Sequence, residues 1–186
     1  MRQAIPLVLM ITLLLTACSA SAGDTEKFAE LRESVEVGSL NAKAEITADF
    51  GNKVQSYTID YSQNGDCSRM EILEPELLRG IAASIDGLDS RIEFDGLILD
   101  TGELDVDGLT PMSALPAIVE SIKNGHIEAV WREKDGDDTL LVFDLTVMDS
   151  ANMNLWIAAD SLIPQRAEIR YEERVIITCV FLEWSA

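Results

Sequence analysis

Three thiols, one imidazole and 33 carboxylates are the groups with which this chain of 186 residues could do chemistry. His126 follows Gly125 at the start of an alternating run and falls on its polar side, the place of a solvated imidazole at a strand end. A catalytic base needs a nucleophile and an orienting acid in reach, and no Ser here stands in a nucleophile-elbow setting. Carboxylates could serve glycoside chemistry in pairs, but with 33 of them a coincidental pair is expected anywhere and none is singled out. Asp105-Val106-Asp107-Gly108 and Asp135-Gly136-Asp137-Asp138 offer oxygen ligands for Ca²⁺. Neither has the loop spacing of an EF-hand, and acidic hairpin turns account for both. With no Gly-rich phosphate loop and no Cys-x-x-Cys pair, no catalytic residue, metal ligand or cofactor is expected. The chain reads as a non-enzymatic protein.

The thiols are more informative. Arg2 precedes an uncharged, mostly apolar run from Ala4 to Thr16, which ends at Leu15-Thr16-Ala17-Cys18. A charged start, a short apolar stretch and small residues at its end make a signal peptide over residues 1–17. The run is shorter than the roughly 20 apolar residues a membrane span needs. Its last four residues look like a bacterial lipobox, in which the cut falls before Cys and that Cys is acylated with diacylglycerol and fatty acids such as palmitate. The alternative is an ordinary secretory cut between Ala20 and Gly23, with Cys18 lost. The expected organisation is a signal at 1–17, a lipidated Cys and short linker at 18–24, and one domain at 25–186. Cys67 and Cys179 then remain, either as a disulfide suited to an extracytoplasmic compartment or as two unpaired thiols.

The formal charge of −19 at pH 7 becomes one unit more negative when Arg2 leaves with the signal. Such a domain repels phosphate backbones, so nucleic acid is excluded as a partner. Anionic head groups push it away as well, so membrane contact is expected through the lipid anchor alone. The address is the extracytoplasmic face of a cell membrane, or the outer membrane if the host has one, since Ser19 after the Cys suits either.

Around these groups the hydrophobic period sets the elements. Asp24 or Thr25 caps a first helix with Phe28, Leu31 and Val35 on one face and Gly38 as its stop. From Leu40 the period becomes two, and hairpin signals at Gly51-Asn52, Asn64-Gly65-Asp66, Asp86-Gly87 and Asp95-Gly96 divide a meander of short strands. Thr110-Pro111 opens a second helix whose stripe is Leu115, Ile118, Val119 and Ile122, with Pro116 expected in its first turn and Gly125 at its end. Alternating runs follow to Trp184, the last of them, Arg174 to Trp184, apolar on both sides. The sum is an α+β, mainly antiparallel fold of about eleven strands, an open or incomplete barrel with two helices over one face.

This order resembles the LolA-like lipoprotein-carrier superfamily, half-open β-barrels with helices as a lid over an apolar concave face. The segment from Leu155 to Ile169 is similar to the family's strand, turn and returning strand: Trp156-Ile157, Ser161, Pro164, Arg166 and Glu168 match, while Ala158 stands where an Asp is usual, with Asp160 nearby. The resemblance extends to membrane-anchored lipoproteins of clostridial bacteria, one of which supports spore germination by binding and activating a cortex amidase. No residue of that contact carries across.

If the registers hold, the implied concave face is lined by Ala42, Ala44, Ile46, Ala48, Tyr57, Ile59, Met70, Ile72, Ile127, Ala129, Trp131, Leu155 and Ile157. Its alanines leave room for an acyl chain, or the helix stripe of Leu115, Ile118, Val119 and Ile122 fills that room as ordinary core. Two functions follow. One is a lipid-anchored scaffold that binds an envelope protein; the other is binding or transfer of a lipid or other hydrophobic ligand in the concave face.

Overall fold

The computed structural model describes residues 22–86, 89–100, 110–148 and 151–186. Helix α1 is Ala22–Val37, and strands β1 (Ser39–Asp49), β2 (Val54–Asn64) and β3 (Cys67–Glu74) follow. After a 3-10 turn at Glu76–Leu78 come β4 (Ala82–Asp86), β5 (Asp89–Phe94) and β6 (Leu97–Asp100). Helix α2 is Pro111–Asn124, and β7 (Ile127–Asp135), β8 (Asp138–Met148), β9 (Ala151–Ala158), β10 (Pro164–Tyr171) and β11 (Arg174–Ser185) complete the described chain. The Asp105 to Gly108 turn, Gly87 and Cys18 with its signal lie outside the described residues.

All eleven strands join one antiparallel sheet in the order β6-β5-β4-β3-β2-β1-β11-β10-β9-β8-β7. Each half is a meander of hairpins, and β1 pairs with β11 at the centre, Ile46 opposite Cys179. The edges β6 and β7 do not meet, so the barrel is half open, as expected. The Asp95-Gly96 turn follows its sequence signal: both residues take positive φ, 49° and 77°, the two-residue loop whose twist suits a hairpin.

The strict alternation read from Leu40 is that of a sheet with one face buried. On β1, Leu40, Ala42, Ala44, Ile46 and Ala48 are buried while the residues between them are exposed or half-buried. Helix α2 packs on β1, β8 and β11, and α1 packs on α2. A capping box starts α2, the Thr110 hydroxyl accepting from the Ser113 amide at 3.2 Å and the Ser113 hydroxyl from the Thr110 amide at 3.1 Å. These bonds satisfy donors that the first turn leaves free.

Three expectations need correction. Helix α1 begins at Ala22, so Asp24 is not its cap but lies in the first turn, where a carboxylate favours the helix dipole. Pro116 lies in the second turn of α2, because Pro111 already holds the first helical position; its ring removes the bond that an amide there would give Met112. The final strand, apolar on both sides, buries one of them and leaves Val175, Val180 and Leu182 exposed on its outer face. Cys67 and Cys179 are free thiols, one exposed and one buried. Strands β3 and β11 are three places apart in the sheet, which at about 4.8 Å per strand is roughly twice the reach of a disulfide.

Candidate functional site

The structure brings the expected concave-face residues together as a filled core. Ala42, Ala44, Ile46, Ala48, Ile59, Met70, Leu155 and Ile157 form one buried cluster with Leu115, Ile118, Val119 and Ile122 of α2. Tyr57 and Ile127 pack against it half-buried, and Ile72 is buried too. Phe28 of α1 lies 4.6 Å from Phe143, ring centre to ring centre, and closes the face over β8. Small side chains on β1 let α2 approach the sheet, and the volume the alanines leave is occupied by its branched residues. Desolvation in this interior holds the Tyr61 phenol up at about 12 and pushes the Cys179 thiol far above its ordinary range.

Ala129 and Trp131 leave the face assigned to them. A bulge between Ile127 and Ala129 shifts the β7–β8 register, and one extra residue exchanges the two faces of a strand from that point on. Val130, opposite Phe143, therefore turns inward, while Trp131, opposite Val142, turns outward.

On that outer face Trp131 joins a cluster that periodicity did not reveal. The Trp131 and Trp156 indole N–H groups both donate to Glu133, each at 2.8 Å. The Arg166 guanidinium lies 4.0 Å above the Trp156 ring. The Trp131 bond first, then the Trp156 bond and the Arg166 charge, hold the Glu133 carboxyl below its ordinary range. Glu133, Leu140, Trp156, Gln165, Arg166 and Phe181 line a shallow depression of about 420 Å³ here. The one sequence signal for it was the Trp156 to Glu168 segment, whose Trp and Arg prove to be stacked cross-strand neighbours.

The rest of that segment shapes a turn and ties down α1. Leu162 takes a positive φ of 59°, its amide donates to the Ala158 carbonyl, and the Ala158 amide donates to Ile163. The Ala159 carbonyl accepts from Lys27 of α1. Arg132 donates to both carboxylate oxygens of Asp24, and Arg32 donates to the carbonyls of Ile122 and Gly125, each at 2.8 Å. The lid is thus fastened to β7, to the β9–β10 turn and to the end of α2.

His126 is exposed just before β7, and its carbonyl accepts from the Thr146 amide. Asp135 to Asp138 form the β7–β8 hairpin turn. Among the described residues no group of three or more His, Cys, Asp and Glu side chains could hold a metal ion, and no helix is long and apolar enough to cross a membrane. A second depression of about 520 Å³ crosses the outer face near Cys67, lined by Ser62, Arg69, Ser84, Asp86 and Arg91 among others.

No family model matches the chain, and no curated protein matches it. Solved structures do. An uncharacterized conserved protein from Thermus thermophilus is similar at 13% identity over 87% of this chain and 86% of that one, with a TM-score of 0.54. A DUF1329 family protein from Desulfovibrio piger is similar at 11% identity over 88% and 90%, with a TM-score of 0.52. A LolA superfamily protein from Nitrosomonas europaea aligns at 17% identity over 90% and 92%, with a TM-score of 0.44. The first two comparisons show a shared fold, and the eleven-stranded, half-open sheet with two helices over its inner face is the architecture that the order of elements implied.

Proposed function

We propose that the chain is a lipid-anchored, extracytoplasmic lipoprotein that binds an envelope protein on its outer surface and performs no catalysis. The observation that carries this reading is the filled interior: the face that would hold a hydrophobic ligand is spent on α1 and α2. What stays available is outside, where the β6 edge of the sheet exposes Leu97, Ile98 and Leu99. Cys18, followed by a short Ser/Ala linker, supplies the tether, and acyl chains contributing about 0.8 kcal/mol per buried methylene hold it. The charge of −19 keeps the domain away from anionic lipid.

Native and denatured mass spectrometry of the full chain, extracted from membranes with mild detergent, tests it. The denatured mass is expected to begin at an acylated Cys18, and the native mass to show no further lipid. A reproducible lipid adduct in the native mass alone would overturn the reading in favour of a hydrophobic-ligand carrier, with α1 as the part that moves.

A further inference from the structure

The two edges of the sheet are built differently. The β7 edge carries Arg132, Glu133 and Lys134 and is tied to α1 through Asp24. Charged side chains and a covering helix are the ordinary protections of an edge strand against pairing with another chain. Among the described residues no helix covers the β6 edge, and its one charge is Asp100 at the strand end: Leu97, Ile98 and Leu99 are 76%, 63% and 64% exposed, and no Lys, Arg or Pro stands on the strand.

The register shows what this edge lacks. One inward row runs across the sheet from Ala42 through Tyr61, Met70, Ala83 and Ile92 to Leu99. Its first four members are buried and Ile92 is half-buried, so the core row runs off the sheet at Leu99. Phe94 and Leu97, opposite each other, share that face and are also exposed. An apolar residue on one more strand would complete the row. The outer face of the same edge carries Asp100, and the sequence from 82 to 100 holds Asp86, Asp89, Glu93, Asp95 and Asp100 against Arg91 as its one base.

We propose that β6 is the docking edge of this protein and accepts an extended segment of an envelope protein as a twelfth strand, its residues alternating between apolar and Lys or Arg. Main-chain hydrogen bonds give such an added strand its hold, and alternate side chains give it specificity. The apolar set continues the row that ends at Leu99, and the basic set meets Asp100, the one acid on β6 itself, which lies opposite Arg91 while Glu93 behind it is paired with Arg69 at 3.6 Å. Charge argues against other occupants. Residues 101–109 of this chain contain Glu103, Asp105 and Asp107 and no base, and a second copy brings the same acids at a charge of −19. The inference rests on the reading of the chain as a protein-binding module and names the surface and partner chemistry for it.

The test uses the full chain in detergent and two fluorescent peptides, one alternating Val with Lys and one alternating Val with Glu. The Val/Lys peptide is expected to bind about tenfold more tightly than the Val/Glu peptide, the effect of a favourable set of cross-strand charges, and the preference is expected to fall as salt rises. Hydrogen exchange at 97–100 is expected to slow when it binds. Asp100→Asn, which removes the charge without setting a cation opposite Arg91, is expected to erase most of the preference, and Leu99→Lys to abolish binding. Equal binding of the two peptides, or protection appearing elsewhere than β6, would overturn the β6 assignment and leave the protein-binding reading in place. Failure of both peptides together with a lipid adduct in the native mass would overturn both.

Discussion

Two cysteines in one domain have opposite environments, and each follows from its place on a strand. Cys179 faces inward between Ile46 and Ala167, its cross-strand partners, and is fully buried. Cys67 is exposed at the start of β3, and its thiol donates to Asp86 at 3.2 Å. That bond, and then the Asp86 charge, raise the Cys67 pKa, because ionising the thiol would place two negative charges side by side. Alkylation of the native protein is therefore expected to label Cys67 slowly and Cys179 only after denaturation. Asp86→Asn is expected to speed the first reaction, and mass mapping of non-reduced digests should find no Cys67–Cys179 peptide. Asp144 is the second residue with a clear signature. Its Oδ1 is buried without a hydrogen bond, and Arg170 lies 3.6 Å from it. Burial raises its pKa above the ordinary 3.8, the Arg170 charge opposing and Glu128 assisting. The folded chain thus holds this proton more tightly than the unfolded one, so the associated stability is present below 3.8 and is lost as pH rises through the raised value. Asp144→Asn should match the parent's thermal midpoint in acid and exceed it at neutral pH. An unchanged difference across that range would show that Arg170 fully offsets the burial.

At the scale of elements, β1 decides whether the interior is core or cavity. Its periodicity was legible because one face is fully buried and a strand repeats every two residues. The role of its alanines was not, since a small side chain reads the same beside a void or a closely approaching helix. In the structure Ala44 is fully buried within the cluster that includes Ile118 and Ile122. Ala44→Leu is expected to destabilise by about 1–3 kcal/mol through overpacking, measured by denaturant unfolding; a variant as stable as the parent would mean that the interior has room to spare. The helices were legible from their stripes, and the caps less so: Thr110-Pro111 carried a clear start, whereas Asp24 suited a cap and a first turn equally. Trp131 was misplaced for one reason, a bulge at Ile127 to Ala129 that leaves the sequence alternation intact while exchanging the faces. Only pairing reveals such a shift, so the Trp131–Glu133–Trp156 contact could not be read from the chain.

For the whole molecule, hydrophobic periodicity and the hairpin signals gave the number of strands and helices. The order of strands lay beyond them. Runs such as Leu97 to Leu99 and Arg174 to Trp184 look alike in sequence, yet one ends the sheet and the other lies at its centre. Burial of the whole sheet, rather than local preference, assigns those places.

The central pairing of β1 with β11 also sets the order of assembly. Each meander is made of local hairpins that form early, but the seam that joins them puts Ala44 opposite Phe181, a contact of very high sequence separation whose loop-closure cost slows folding. Until β11 has been made and delivered, β1 and β10 are two more open edges facing each other. The seam at the middle of the sheet can therefore close only when almost the whole chain is available to it.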